Sequence, residues 1–239
     1  PFVSCSAKLP VYGLIASAFF DEYRGLIVLS LYALGIVVGI LTGILFRHTL
    51  FRENRAAFVL ELPPYRWPSM RNTLLHVGER VGHFLEKAGT IILLMSVVLW
   101  FLMHFTPALA MTAQTERSIL GVAGGWIAPL FRPLGFGTWQ ASVALLSGLI
   151  AKEAVNSSLS MFLGATGDAL NGALAGLFTP LAAYSFLVFV LLYVPCMAAV
   201  TTMRRELGSA KHTWITVGYQ LLVAYVMALL VHMLGSLFL

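Results

Sequence analysis

Charge is scarce in this chain: 15 Lys or Arg and 10 Asp or Glu make up only 10% of 239 residues. A soluble domain carries about 25%, so a water-dissolved globule is excluded before any motif is read. Cysteine is scarcer still. Cys5 and Cys196 are too few and too far apart to form a disulfide framework. Each stands beside an apolar span, so the redox compartment is not legible from them. No G-x-x-x-x-G-K-[ST] occurs, which excludes nucleotide binding by a P-loop. The six histidines never stand at i, i+4, and His76 and His83, seven apart, are too distant for one ion. The opening Pro1-Phe2-Val3-Ser4 has no initiator Met, charged leader or small-residue cleavage site, so it is expected to be an internal point of a longer protein.

What fills the chain is apolar, 59% of it. Leu26 to Phe46 is interrupted only by small or weakly polar residues, and at about 1.5 Å per residue it spans roughly 31 Å, the thickness of a bilayer core. Further apolar spans cover about 9–20, 89–105, 139–163, 181–200 and 213–239, with a shorter stretch at 119–131. The expected fold class is all-α, a polytopic transmembrane helical bundle with broken or re-entrant helices.

The net charge of +5 is not spread as a nucleic-acid surface would be. Arg47, Arg52, Arg55, Arg66, Arg71, Arg80 and Lys87 fall between two spans, and Arg204, Arg205 and Lys211 between two others. Segments 47–87 and 201–212 are therefore expected on the cytoplasmic side and the 164–180 loop on the far side. By parity the stretch 119–163 starts and ends outside, as a re-entrant hairpin or a pair of crossings. Backbone that irregular is tolerated at membrane depth only where protein buries it or it lines a cavity. Met70, Leu74, Val77, Val81, Phe84 and Ala88 form the stripe of an amphipathic helix. Before it, Glu61-Leu-Pro-Pro-Tyr-Arg-Trp-Pro68 is a stiff extended connector.

Two segments pair a cysteine with a proline beside small hydroxyl residues: Ser4-Cys5-Ser6 with Pro10, and Tyr193-Val194-Pro195-Cys196. In a helix, Pro10 frees the carbonyl of Ser6 and Pro195 that of Leu191. Freed carbonyls bind cations in broken transporter helices, and a thiolate adds a ligand suited to first-row metals. The plainer reading stays open: each Cys a small buried hydrophobe, each Pro a tolerated kink. A third constellation is Glu153, Asn156, Ser157 and Ser160, one helix face inside an apolar span. A carboxylate there is costly and normally faces the bundle interior or a wet cavity. Lys152, about 100° round the helix, is then expected to snorkel rather than pair with Glu153; the alternative is a surface hairpin tip at 151–153 with both charges solvated.

Taken in order, Pro1 to Tyr12, Glu61-Leu-Pro-Pro-Tyr-Arg66, Lys87-Ala-Gly-Thr90, Ala151-Lys-Glu153 and Tyr193-Val-Pro-Cys196 resemble the signatures of FeoB ferrous iron transporters. The resemblance implies the transmembrane part of a GTP-dependent bacterial inner-membrane permease for Fe(II), not an enzyme in itself. It divides the chain into the end of a first Gate region (1–20), a membrane helix, connector and cytoplasmic amphipathic helix (21–88), a second Gate region (89–208) and a C-terminal membrane helix (209–239). It implies one cysteine per Gate, Cys5 and Cys196; joined to the residue reading above, the expectation is that these two, Glu153 and the carbonyls of Ser6 and Leu191 meet the metal. Ser4, Pro10, Asn156, Ser157, Ser160 and Pro195 then line the path. No cofactor is expected on this chain; GTP and Mg belong to a GTP-binding domain that it lacks. The expected partners are membrane lipid, Fe(II), that domain, small accessory iron-transport proteins and further copies of the chain, with no nucleic acid. Gate-like segments also occur in nucleoside carriers and spore-maturation membrane proteins, which form the alternative.

Overall fold

The structure is a computed structural model describing residues 2–49, 67, 69–108, 110–112, 115–150, 152, 154–164 and 168–238. Among these, ten α-helices follow in order: α1 Leu9–Phe19, α2 Arg24–Thr49, α3 Met70–His104, α4 Ile119–Phe131, α5 Trp139–Ile150, α6 Ala154–Leu163, α7 Asp168–Leu177, α8 Pro180–Leu192, α9 Met197–Leu207 and α10 Ala210–Phe238. The helical bundle expected from the composition is what forms.

At the centre stands α8. Every residue from Ser185 to Leu192 is buried, so the helix is apolar around its whole circumference, as a helix surrounded by others must be. Phe186 and Phe189 interlock with Phe131 and Phe136 from the end of α4 and the turn after it. Around this core, α2 and α10 are long and apolar enough to cross a membrane, yet mostly exposed. Leu26, Leu29, Ile36, Ile40 and Ile44 of α2 all face outward. So much exposed apolar surface fits a lipid environment.

Hydrogen bonds fix the directions. Thr42 and Tyr219 hydroxyls lie 3.1 Å apart, joining the end of α2 to the start of α10. Ser30 meets Tyr184 at 3.0 Å, joining the first half of α2 to the start of α8. The end of α2, with Arg47, and the start of α10, with Lys211, therefore sit at one end of the bundle. Residues 201–212 are not a loop: α9 covers most of them and stops at Gly208, whose φ of 60° is the left-handed conformation of a helix end.

Three spans differ from the sequence reading. The 139–163 span is two helices, α5 and α6, and 181–200 is α8 and α9 separated at Tyr193–Cys196. The pairs α4/α5 and α7/α8 bend by 105° and 97°. Gly124 makes the first bend compact, because a Cβ there would overlap Val143. The segment 164–180 contains α7, whose buried Leu170 and Leu174, four apart, form a stripe too short to stand out in a Gly/Ala-rich run. The amphipathic stripe and the 89–105 span are one unbroken helix, α3, about 52 Å long at 1.5 Å per residue. Of the Pro-rich connector, only Trp67 is among the described residues.

Candidate functional site

The site forms where α8 stops. Pro195 has no N–H, so the Leu191 carbonyl loses its helical donor, while Tyr193 N–H still closes on Phe189 O at 2.8 Å. The chain runs extended through Val194 and Pro195. It re-enters helix at Cys196, whose carbonyl accepts from Ala199 and Val200 N–H at 2.9 and 3.0 Å. Cys196 thus caps α9 without a side-chain cap bond.

The freed Leu191 carbonyl is met by Lys8, whose ammonium donates to it at 2.7 Å. Lys8 is only 2% exposed. Its backbone explains its position: residues Ser6–Lys8 form one 3-10 turn leading into α1, with Lys8 N–H on Cys5 O at 3.1 Å. That turn also alters the expectation for Ser6. Its carbonyl accepts the Leu9 N–H, because the tighter i, i+3 pattern supplies a donor that Pro10 cannot.

Lys8 links the segments that carry the two cysteines: its N–H closes on the Cys5 carbonyl, and its ammonium reaches Leu191, five residues before Cys196. Cys5 is exposed and Cys196 half-buried. Ser4 precedes Cys5, its hydroxyl 3.2 Å from that of Tyr12. Lys152, between α5 and α6, is buried with its ammonium 4.2 Å from the centre of the Tyr193 ring. It is neither a solvated hairpin tip nor a snorkelling chain. An ammonium over an aromatic face gains from the ring quadrupole, and among the described residues it has no hydrogen-bond partner. The Tyr193 hydroxyl also has no partner among them. It lies against Gly148, where any Cβ would overlap it and Val155. Behind Tyr193 is an apolar cavity of about 300 Å³ bounded by Phe131, Leu145, Leu149, Phe189 and Tyr225.

The α6 face differs from the expected one. Glu153 lies outside the described residues. Ser157 is exposed, Asn156 and Ser160 are half-buried, and the buried face carries Val155, Ser158 and Leu159. The helix begins at Ala154, and its apolar pair Val155/Leu159 sets the register. Ser160 spends its hydroxyl on Asn156 O at 3.1 Å, while the Asn156 Oδ1 is buried and unpartnered. The buried hydroxyl link is Ser158 to Ser147 at 2.9 Å, and Ser147 in turn donates to Ala144 O. Among the described residues, no three His, Cys, Asp or Glu side chains converge as a metal cage would.

Sequence reasoning misses Lys8 and Lys152 as site residues. The signal is present in both: an ionisable side chain within apolar sequence beside a helix break.

Comparison with known proteins adds two family matches. Residues 28–80 match the model for the ferrous iron transport protein B C terminus, and residues 85–210 match that for Gate, nucleoside recognition. The Fe(2+) transporter FeoB of Staphylococcus aureus (strain COL) is 40% identical over 238 residues, covering all of this chain and 36% of that protein. FeoB of Methanocaldococcus jannaschii is 38% identical, over 99% of this chain and 36% of its own length. A Fe(2+) transport protein A/Fe(2+) transporter FeoB fusion protein of Porphyromonas gingivalis is 34% identical, over all of this chain and 34% of the fusion. The chain thus spans about a third of the length of these relatives. No solved structure matches it.

Proposed function

Because this chain belongs to the Gate, or nucleoside-recognition, family and matches the C-terminal part of Fe(2+) transporters along its whole length, we propose that it is the membrane part of a ferrous-iron permease. One observation supports the reading beyond names: the buried Lys8, whose turn closes on the Cys5 carbonyl, reaches across to the Leu191 carbonyl at the break between α8 and α9, where Cys196 starts the next helix. Contact between segments so distant in sequence at a break in helix supports this reading, because transporters of broken-helix design hold their ions at such breaks.

Fe(II) is low in the affinity order of divalent metals, so a rigid cage there would favour copper or zinc. Passage needs sites weak enough to release the ion. The ion meets Cys5 and Cys196 in turn, with the Leu191 carbonyl and water completing a transient shell. Glu153 supplies negative potential, and Ser4, Asn156 and Ser160 polar lining. Ser6 contributes little through its carbonyl, which already accepts a backbone bond. The relatives' names favour this over an organic-solute carrier.

The whole protein sits in the bacterial inner membrane, with 47–87 and 201–212 facing the cytoplasm. A GTP-binding domain outside this chain binds GTP and Mg and controls passage. The fusion relative points to a small accessory iron-transport protein as a partner. The test is anaerobic Fe(II) uptake by the full-length protein with Cys5→Ser and Cys196→Ser made singly. Each substitution is expected to cut uptake at least about tenfold while leaving membrane insertion intact, because the volumes are close. Normal uptake by both variants overturns the reading.

A further inference from the structure

Lys8 poses a problem that the transport reading does not solve. A freed carbonyl needs one donor, and a water or a hydroxyl would serve. An ammonium buried to 2% exposure is a costly choice for that task. Its position is telling. Lys8 stands three residues after Cys5, and its partner carbonyl belongs to Leu191, five residues before Cys196. The ammonium therefore holds, where the turn carrying Cys5 meets the break that leads to Cys196, an oxygen that an ion passing there would use. Lys152 does the same on the other cation-attracting surface of the break, the Tyr193 ring. The Leu191 carbonyl and the Tyr193 ring are thus each met by a cation covalently attached to the chain.

Resting on the Fe(II) reading, we infer that Lys8 is a tethered resident cation: its ammonium occupies the Leu191 carbonyl in the metal-free state, and a divalent ion takes that oxygen only by displacing it. The device closes the path without leaving the carbonyl bare. It also sorts ions by charge. A monovalent ion carries no more charge than the ammonium and lacks its tether, so it does not win the oxygen. A divalent ion doubles the Coulomb attraction to carbonyl and thiol together. Lysine suits the role because its charge is compact and its four-carbon stem flexible, so the head can withdraw while the stem stays packed.

The experiment uses full-length protein in detergent without oxygen, titrated with Co(II), whose thiolate absorption reports sulfur ligation. Lys8→Gln retains a donor for the Leu191 carbonyl and removes the charge; Lys8→Arg retains the charge; Cys196→Ser supplies the control for sulfur ligation. The expected result is Co(II) binding at least about tenfold tighter in Lys8→Gln than in the unaltered protein, with no gain in Lys8→Arg. Excess K⁺ should compete with Co(II) in Lys8→Gln alone. A second measurement needs no variant: amine acylation read by mass spectrometry at Lys8 should rise when Co(II) is added to the unaltered protein. Equal affinities with the thiolate band present, or Lys8 equally protected with and without Co(II), overturn the inference and leave the Fe(II) reading standing. No thiolate band in the unaltered protein or the lysine variants overturns the Fe(II) reading, and this inference with it.

Discussion

Gly148 and Tyr193 give the sharpest check on the geometry around the helix break. A Cβ on Gly148 would overlap both the Tyr193 hydroxyl and the Val155 Cγ2. Carbon contacts are comfortable only near 3.5–4.0 Å, so Gly148→Ala must push α5 from α8 or turn the Tyr193 ring. Overpacking of this kind costs about 1–3 kcal/mol. The hydroxyl it strikes is buried and without a partner among the described residues. Removing an unpaired buried hydroxyl relieves a desolvation penalty of about 1–3 kcal/mol, so Tyr193→Phe should be neutral or stabilising. It keeps the aromatic face over which Lys152 sits. The double variant should then be less destabilised than the sum of its parts by at least about 1 kcal/mol, a coupling typical of residues in contact. The assay is a double-mutant cycle on unfolding of the full-length protein in detergent. Additivity within about 0.5 kcal/mol would refute the contact. A loss of more than about 1 kcal/mol in Tyr193→Phe alone would mean that the hydroxyl has a partner.

Two further outcomes follow from the packing. In Gly35→Ala the new Cβ would stand 2.8 Å from the Phe2 carbonyl, and backbone yields less readily than side chain. The segment carrying Ser4 and Cys5 should shift, lowering Fe(II) uptake and stability by about 1–3 kcal/mol; uptake and melting both unchanged would count against the placement. For sidedness, a cysteine introduced at Gly172 should react with an impermeant thiol reagent from outside the cell and one at Leu207 should not; the reverse pattern would invert the topology.

Much of this was legible in the residues. The two outer spans follow from length and hydropathy, since the backbone of a long apolar run in lipid must satisfy itself as helix. The break after α8 follows from Pro195, and the cysteine beside it is what singles out this break as the candidate site. Long-range placement is a different matter. That Lys8 would reach Leu191, 183 positions away, depends on how α1 packs against α8, and no local pattern encodes it. The rule that singles out Glu153 singles out both lysines as well, but a search for cation ligands passes over residues of the same sign as the ion. Register is the other blind spot. Ser157 and Ser158 are adjacent in sequence, and only the start of α6 at Ala154 decides that Ser158 is the buried one.

The central claim is that one Fe(II) ion meets sulfur from both ends of this chain. Iron X-ray absorption on the full-length protein loaded anaerobically with Fe(II) tests it most directly. The account predicts an iron–sulfur contribution that falls when either Cys5 or Cys196 is changed to serine and disappears when both are. A shell of oxygen and nitrogen alone in the unaltered protein, or a sulfur signal indifferent to both substitutions, would contradict it.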